Sequence, residues 1–266
     1  MLKGLFFVLL FSFSITHLTD AQADSLRILR QFEVEGTLVE VDPLLQSFTL
    51  DQQEYLRKYD QKGQLLFDYQ NKNLGDLQRC DASNPFNILL FYQEFNTIII
   101  LDRTLNPLVE VNLNALGFFA IQLIAAAPDN KIWLYDPTDF KLKKIDAKGN
   151  LLAESQDLSL QFPGGLDWKQ LRAIGDELFI QTNEHELLIF NQFGQWIKSI
   201  NISGGDFQWK QNNLYILEDQ TGIFPYEVLQ GQLPYLYLRN QPEDKLYLRQ
   251  KQLFVQSGKN VQILSW

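Results

Sequence analysis

Residues 36–265 repeat a four-part pattern with a period of about 40 residues, and this restricts the possible folds more than any other feature of the chain. Each unit holds short runs rich in Leu, Ile, Val, Phe and Tyr, separated by turn residues roughly every 8–12 positions. The runs of the first unit lie at 36–42, 47–50, 55–59 and 65–69, and those of the second at 75–81, 87–92, 97–102 and 108–113. The third unit has 121–127, 131–135, 141–146 and 151–155, and the fourth has 170–174, 177–181, 186–191 and 196–200. The fifth has 206–210, 213–217, 223–228 and 235–238. The sixth has three runs, 245–248, 252–256 and 260–265. A four-stranded meander cannot bury both faces alone, whereas units stacked around an axis can. The alternating segment 26–34 has no partner in its own unit and fits as the missing outer strand of the last one. The expected fold is all-β: a six-bladed β-propeller of four-stranded antiparallel blades, one domain over residues 24–266, with the last blade closed by the N-terminal strand.

Residues 1–23 read as a signal peptide. Lys3 supplies the positive start, residues 4–15 are apolar, and Ala21-Gln22-Ala23 is a small-x-small cleavage site before Asp24. The apolar run is too short to span a bilayer, which takes about 20 residues, and no spanning stretch follows. The mature chain is therefore expected to be exported, periplasmic in a Gram-negative cell, without a transmembrane span, and monomeric. The full chain carries 23 basic and 32 acidic residues, net −9, and the signal removes one charge of each sign. That balance excludes the basic footprint of a nucleic-acid binder. Cys80 is the only cysteine, which rules out an internal disulfide and a cysteine zinc cage. In an oxidising compartment it is best kept buried. His185 is the only histidine outside the signal.

Three turns share one chemistry: Asp60 to Gly63, Asp146 to Gly149 and Asn191 to Gly194. The first side chain caps the turn and glycine takes the left-handed position. A calcium loop would need several oxygen ligands in one loop, which none of these offers. Asp42, Asp81, Asp129 and Asp176 end first strands and also read as turn residues. A second reading has some of them ring one end of an axial channel.

The loops that join second to third strands, and those that join one blade to the next, share one face. The first set carries Asp136, Glu184, His185, Glu218 and Asp219, which gives that face negative potential, suited to cationic partners or a metal ion. The second set contains two long segments, 114–120 with Phe118 and Phe119, and 156–169 with Phe162 and Trp168. Exposed aromatics on such loops are interface anchors; the bland alternative has Phe118, Phe162 and Trp168 plugging gaps between blades. Trp133, Trp196 and Trp209 lie on strands and read as core. His185 sits between two carboxylates, Glu184 and Glu186, as a candidate general acid or base, but no nucleophile motif accompanies it.

The strand endings Tyr59-Asp60-Gln61-Lys62-Gly63 and Ile145-Asp146-Ala147-Lys148-Gly149 resemble six-bladed propellers of the NHL and TolB-like group. The segment from Asp81-Ala82-Ser83-Asn84-Pro85-Phe86-Asn87 to Tyr92, continuing to Asp102, resembles a family of exported bacterial propeller-like proteins of unassigned function. Gluconolactonase-like hydrolases of the wider group hold a divalent metal with carboxylate and Asn side chains at the channel. Their ligand motif does not match here residue by residue, so no catalytic role carries over. The expected function is non-catalytic binding of a protein or cell-envelope component through one loop face, with no cofactor. The alternative is a metal-dependent hydrolase or lyase acting on a small sugar- or lactone-like substrate, which would bring in a divalent cation. A third reading is carbohydrate binding, with Trp168 or Phe118 as a stacking platform.

Overall fold

A computed structural model describes residues 26–163, 167–183, 185–202, 206–210, 213–218, 222–227, 231–232, 237–238 and 244–265. The expected signal at 1–23 lies outside the described residues, as do the candidate site residues Glu184 and Asp219.

Strand β1 is Arg27–Glu33. The first sheet follows as β2 Thr37–Val41, β3 Ser47–Leu50, β4 Leu56–Tyr59 and β5 Leu65–Tyr69. The second is β6 Arg79–Asp81, β7 Ile88–Tyr92, β8 Thr97–Leu101 and β9 Pro107–Asn112. The third is β10 Leu123–Ala126, β11 Ile132–Asp136, β12 Lys141–Ile145 and β13 Leu151–Glu154. The fourth is β14 Trp168–Ile174, β15 Glu177–Thr182, β16 Glu186–Asn191 and β17 Trp196–Asn201. The fifth comprises β18 Asp206–Lys210, β19 Asn213–Glu218, β20 Gly222–Glu227, β21 Gly231–Gln232 and β22 Tyr237–Leu238. The last contains β23 Lys245–Arg249, β24 Gln252–Ser257 and β25 Asn260–Ser265, and β1 pairs antiparallel with β25.

Five of these sheets are regular four-stranded units, not the six expected. The fifth sheet departs from the pattern because its outer strand is split: β20 pairs with β21 at Tyr226 and Glu227, and with β22 at Gly222 and Ile223. Pro225 lies between those two stretches and has no N–H to give to a ladder.

The middle strands bury both faces. Every residue of β7 and β8 is buried, as the unbroken apolar runs Ile-Leu-Leu-Phe-Tyr and Thr-Ile-Ile-Ile-Leu require, whereas β9 is mostly exposed. Adjacent sheets share their cores. Leu89, Phe91, Ile98 and Ile100 pack with Ile124, Ile132 and Leu134, while Phe48 and Leu56 pack with Ile88 and Leu90. Leu38 and Val41 of the first sheet pack with Phe254 and Val261 of the last. Trp133 is core as expected, but Trp196 is not: β17 is an outer strand and its ring is exposed. Trp209 lies on β18.

The first strands approach one another around an axis: β2 lies against β6 and β23, β6 against β10, β10 against β14, and β18 against β23. Their axial edges have no ladder partner, so side chains satisfy the backbone. Asp81 Oδ2 accepts from the Ala126 amide at 3.0 Å. Gln208 accepts from the Leu248 amide and donates to the Leu246 carbonyl. Gln256 accepts from the Leu38 amide and donates to the Gly36 carbonyl at 2.8 Å. Each of these side chains bridges to the next sheet.

Candidate functional site: the axial channel

A cavity of about 460 Å³ opens where the first strands end. Asp81 closes β6 there, Ala126 closes β10, Arg172 to Ile174 close β14, and Arg249 closes β23. Its volume lies within the range of small-ligand sites. The remaining wall comes from the connection after β6, through Ser83, Asn84, Pro85 and Phe86.

That connection is braced. Asp81 Oδ1 accepts from the Ser83 amide at 3.0 Å, and Asn84 Oδ1 accepts from the Phe86 amide at 3.0 Å. Asn84 and Asn87 both donate to Asn130 Oδ1 on the next sheet, at 2.6 and 3.2 Å. The result is a fixed loop that holds the Phe86 ring 57 % exposed at the cavity rim.

The floor is charged. Buried Glu40 takes Arg249 Nη2 at 2.9 Å and has Arg172 Nη1 at 3.8 Å. Arg249 Nε also donates to the Val41 carbonyl, and Arg172 Nε donates to Gln170 Oε1 at 3.2 Å. Burial alone would raise the Asp81 carboxyl, but the Arg79 cation and the hydrogen bonds from Ser83 and Ala126 hold it below its usual range. Burial pushes the Cys80 thiol well up, so it is an inert thiol and no nucleophile.

A second cavity of about 240 Å³ sits where β2, β6 and β23 begin, lined by Thr37, Gln78, Arg79, Cys80, Lys245 and Tyr247 among others.

The residues expected at a site fare differently. Phe118 is buried between the second and third sheets, and Phe162 and Trp168 pack against the core between the third and fourth. Trp168 belongs to β14 and stacks at a tilt on Tyr135, centroids 4.7 Å apart, and Phe162 meets Trp196 edge-on at 6.2 Å. These three rings fill gaps between sheets, so the loop-anchor reading is corrected for them. Phe119 is exposed. Asp136 is buried and paired to Lys143 at 2.7 Å, with Asp139 on the same ammonium at 2.7 Å and the Phe118 ring 5.6 Å away. Desolvation works against the Asp136 carboxylate, but Lys143 and Thr138 lower its pKa on balance. His185 is exposed at φ 64°, and its carbonyl accepts from the Ile202 amide at 2.8 Å. Glu218 ends β19. Phe118, Asp136 and Lys143 thus meet, but as a packed cluster in which Lys143 serves both carboxylates.

The 460 Å³ cavity lies at the end of the channel opposite these loops, at the turns between first and second strands. Of Asp42, Asp81, Asp129 and Asp176, which the sequence places at first-strand ends, Asp81 lines this cavity. The signal was present: the connection at 82–87, with its Asn-Pro-Phe, is longer than its counterparts at 42–46 and 127–131.

No family model and no curated protein sequence matches the chain. Among solved structures, the WD40 domain of Neurospora crassa Pan2 is similar at a TM-score of 0.59 and 8 % identity, covering 90 % of this chain and 95 % of that one. Virginiamycin B lyase from Staphylococcus aureus is similar at 0.57 and 12 % identity, covering 86 % of this chain and 79 % of that one. The fold is a β-propeller. The catalytically inactive H270A form of that lyase, with quinupristin, gives a TM-score of 0.55 at 12 % identity. At such identities the likeness carries the propeller fold alone.

Proposed function

We propose that this propeller is an exported, non-catalytic binding protein that engages a protein or cell-envelope component through the channel mouth bearing Phe86. Under this reading the split sheet and the five regular ones make a six-part ring with β1 as its closing strand. The observation that carries the proposal is the braced Ser83–Phe86 wall, which presents an exposed aromatic ring beside a 460 Å³ cavity. A fixed ring costs little entropy on binding and is a good anchor. This moves the binding face to the opposite end from the loops that the sequence favoured.

The metal-dependent reading is weaker at this mouth. Both oxygens of Asp81 are held by backbone amides, and among the described residues no group of three His, Cys, Asp or Glu could hold a metal. No helix among the described residues is long and apolar enough to cross a membrane.

The test is cross-linking of the tagged protein in its native cells, followed by binding of the purified partner. Phe86→Ser should weaken that binding by about tenfold or more, as loss of a central aromatic anchor does. Phe119→Ser, on the other face, should leave it unchanged. Equal binding by the parent and Phe86→Ser, or loss only in Phe119→Ser, overturns the assignment of the face.

A further inference from the structure

The geometry points to an oxyanion site at the other end of the channel, in the 240 Å³ cavity where β2, β6 and β23 begin. Its ligand class is a small molecule carrying a carboxylate or phosphate group.

Arg79 opens β6 and lines this cavity. Its Nε and Nη2 are buried and have no hydrogen-bond partner among the described residues. A guanidinium left in this state is costly, because a buried cation needs both hydrogen bonds and an opposing charge. The opposing charge it feels is Asp81, two residues along β6, but Asp81 already accepts from Ser83 and Ala126, and no ion pair joins the two. Within the cavity lining there is a second cation, Lys245, and no Asp or Glu. Two cations thus line a half-open cleft that has no carboxylate in its own wall, in a chain of net charge −9.

Asp244, buried, precedes Lys245 in the chain, and two other nearby carboxylates are engaged elsewhere. Glu54 Oε2 accepts from the Leu77 amide at 2.8 Å, and Glu40 serves Arg249 and Arg172. An oxyanion in the cavity would take the two unmet donors of Arg79 as charge-assisted hydrogen bonds, with Lys245 as a point charge beside it. The volume suits a small acid or a phosphorylated fragment; a folded partner does not fit. The site is independent of partner binding at the Phe86 mouth.

The experiment is thermal unfolding and calorimetric titration of the full chain with inorganic phosphate, acetate, or methylammonium chloride as a control, at matched ionic strength. Phosphate or acetate should raise Tm saturably, and whichever does so names the oxyanion. Arg79→Gln should weaken binding by about tenfold or more, the worth of a hydrogen bond to a charged group. Lys245→Gln, at an exposed position that leaves the fold intact, should weaken it by about threefold to tenfold, as loss of a nearby charge does. Equal effects of all three salts, no saturation, or unchanged binding in both variants overturns the site. If Arg79→Gln fails to fold, Lys245→Gln alone decides.

Discussion

Lys58 and Asp42 show what one buried pair costs this molecule. Both side chains are almost fully buried, with Nζ and Oδ2 3.7 Å apart. Lys58 also donates to the Arg103 carbonyl at 2.9 Å, and Asp42 Oδ1 takes the amides of Leu44 and Gln46 at 2.9 Å. Burial raises the Asp42 carboxyl and lowers the Lys58 ammonium, in each case outweighing the attraction of the partner. Both shifts run toward the neutral forms, the sign of a pair that desolvation strains. Lys58→Met alone leaves Asp42 buried without its cation and should destabilise the fold by about 3–5 kcal/mol. Asn can keep the Leu44 and Gln46 contacts, so the double variant Asp42→Asn, Lys58→Met should recover most of that loss. Urea unfolding of the three proteins measures it, and a double variant no more stable than Lys58→Met would show that the pair is net favourable.

Among the elements, the strands were readable in advance because their chemistry is local. Five consecutive apolar residues in β7, and four after Thr97 in β8, bounded by turn residues and rich in β-branched and aromatic side chains, read as strands buried on both faces. The full pattern of cap and left-handed residue was readable only where glycine marked it, although Asp42 already reads as a turn residue. Asp102 Oδ1 takes the Thr104 and Asn106 amides at 2.7 and 2.9 Å in the same way that Asp146 takes Lys148 and Asn150 at 2.8 and 2.9 Å. Its left-handed residue is Leu105 at φ 62°, so the sequence gives no cue. Asp42 with Leu45 and Asp51 with Glu54 repeat the case. The site was less readable for a different reason. Whether Phe118 points to solvent or into the gap beside Ile98 depends on how two sheets meet, and the cavities exist only where strand ends from three or four sheets converge. Inter-sheet packing also separates glycines that look alike. A Cβ on Gly149 would stand 2.2 Å from Leu116 Cδ1, whereas one on Gly117 meets nothing within 4 Å, and both have φ above 80°. Gly117→Ala should therefore cost about 1 kcal/mol from the backbone alone, and Gly149→Ala about 1–3 kcal/mol more from the clash. Equal melting temperatures for the two variants would mean that Leu116 moves aside without cost.

For the molecule as a whole, acid is the condition that tests the distribution of carboxylates. Asp51, Asp81, Asp102, Asp136, Asp146 and Asp157 all titrate below their ordinary range in the folded chain. Three of them, Asp51, Asp102 and Asp146, cap turns of the repeated kind, and Asp102 is brought to about 2 by the Thr104 hydroxyl and the amides of Asn106 and Thr104. A carboxyl with a depressed folded pKa binds its proton more weakly folded than unfolded. Its contribution is therefore complete above the unfolded value, 3.8, and is lost as pH falls through the folded value. Asp42 has the opposite sign: its raised pKa favours the fold at low pH and ceases to do so as pH rises. Among the described residues, six groups against one set the direction. On the alkaline side of the isoelectric point, near 4.8, repulsion within a chain of net charge −9 eases as protons are added. Stability should then peak close to pH 5 and fall steadily below about pH 4. Urea midpoints measured from pH 7 to pH 3 would reveal this, and a midpoint at pH 3 equal to that at pH 5 would mean that the capped turns stay shut without their charges. Asp102→Asn keeps the capping oxygen and removes the titration, so its curve should be flatter than the parent's below pH 4 while matching it in shape above pH 5.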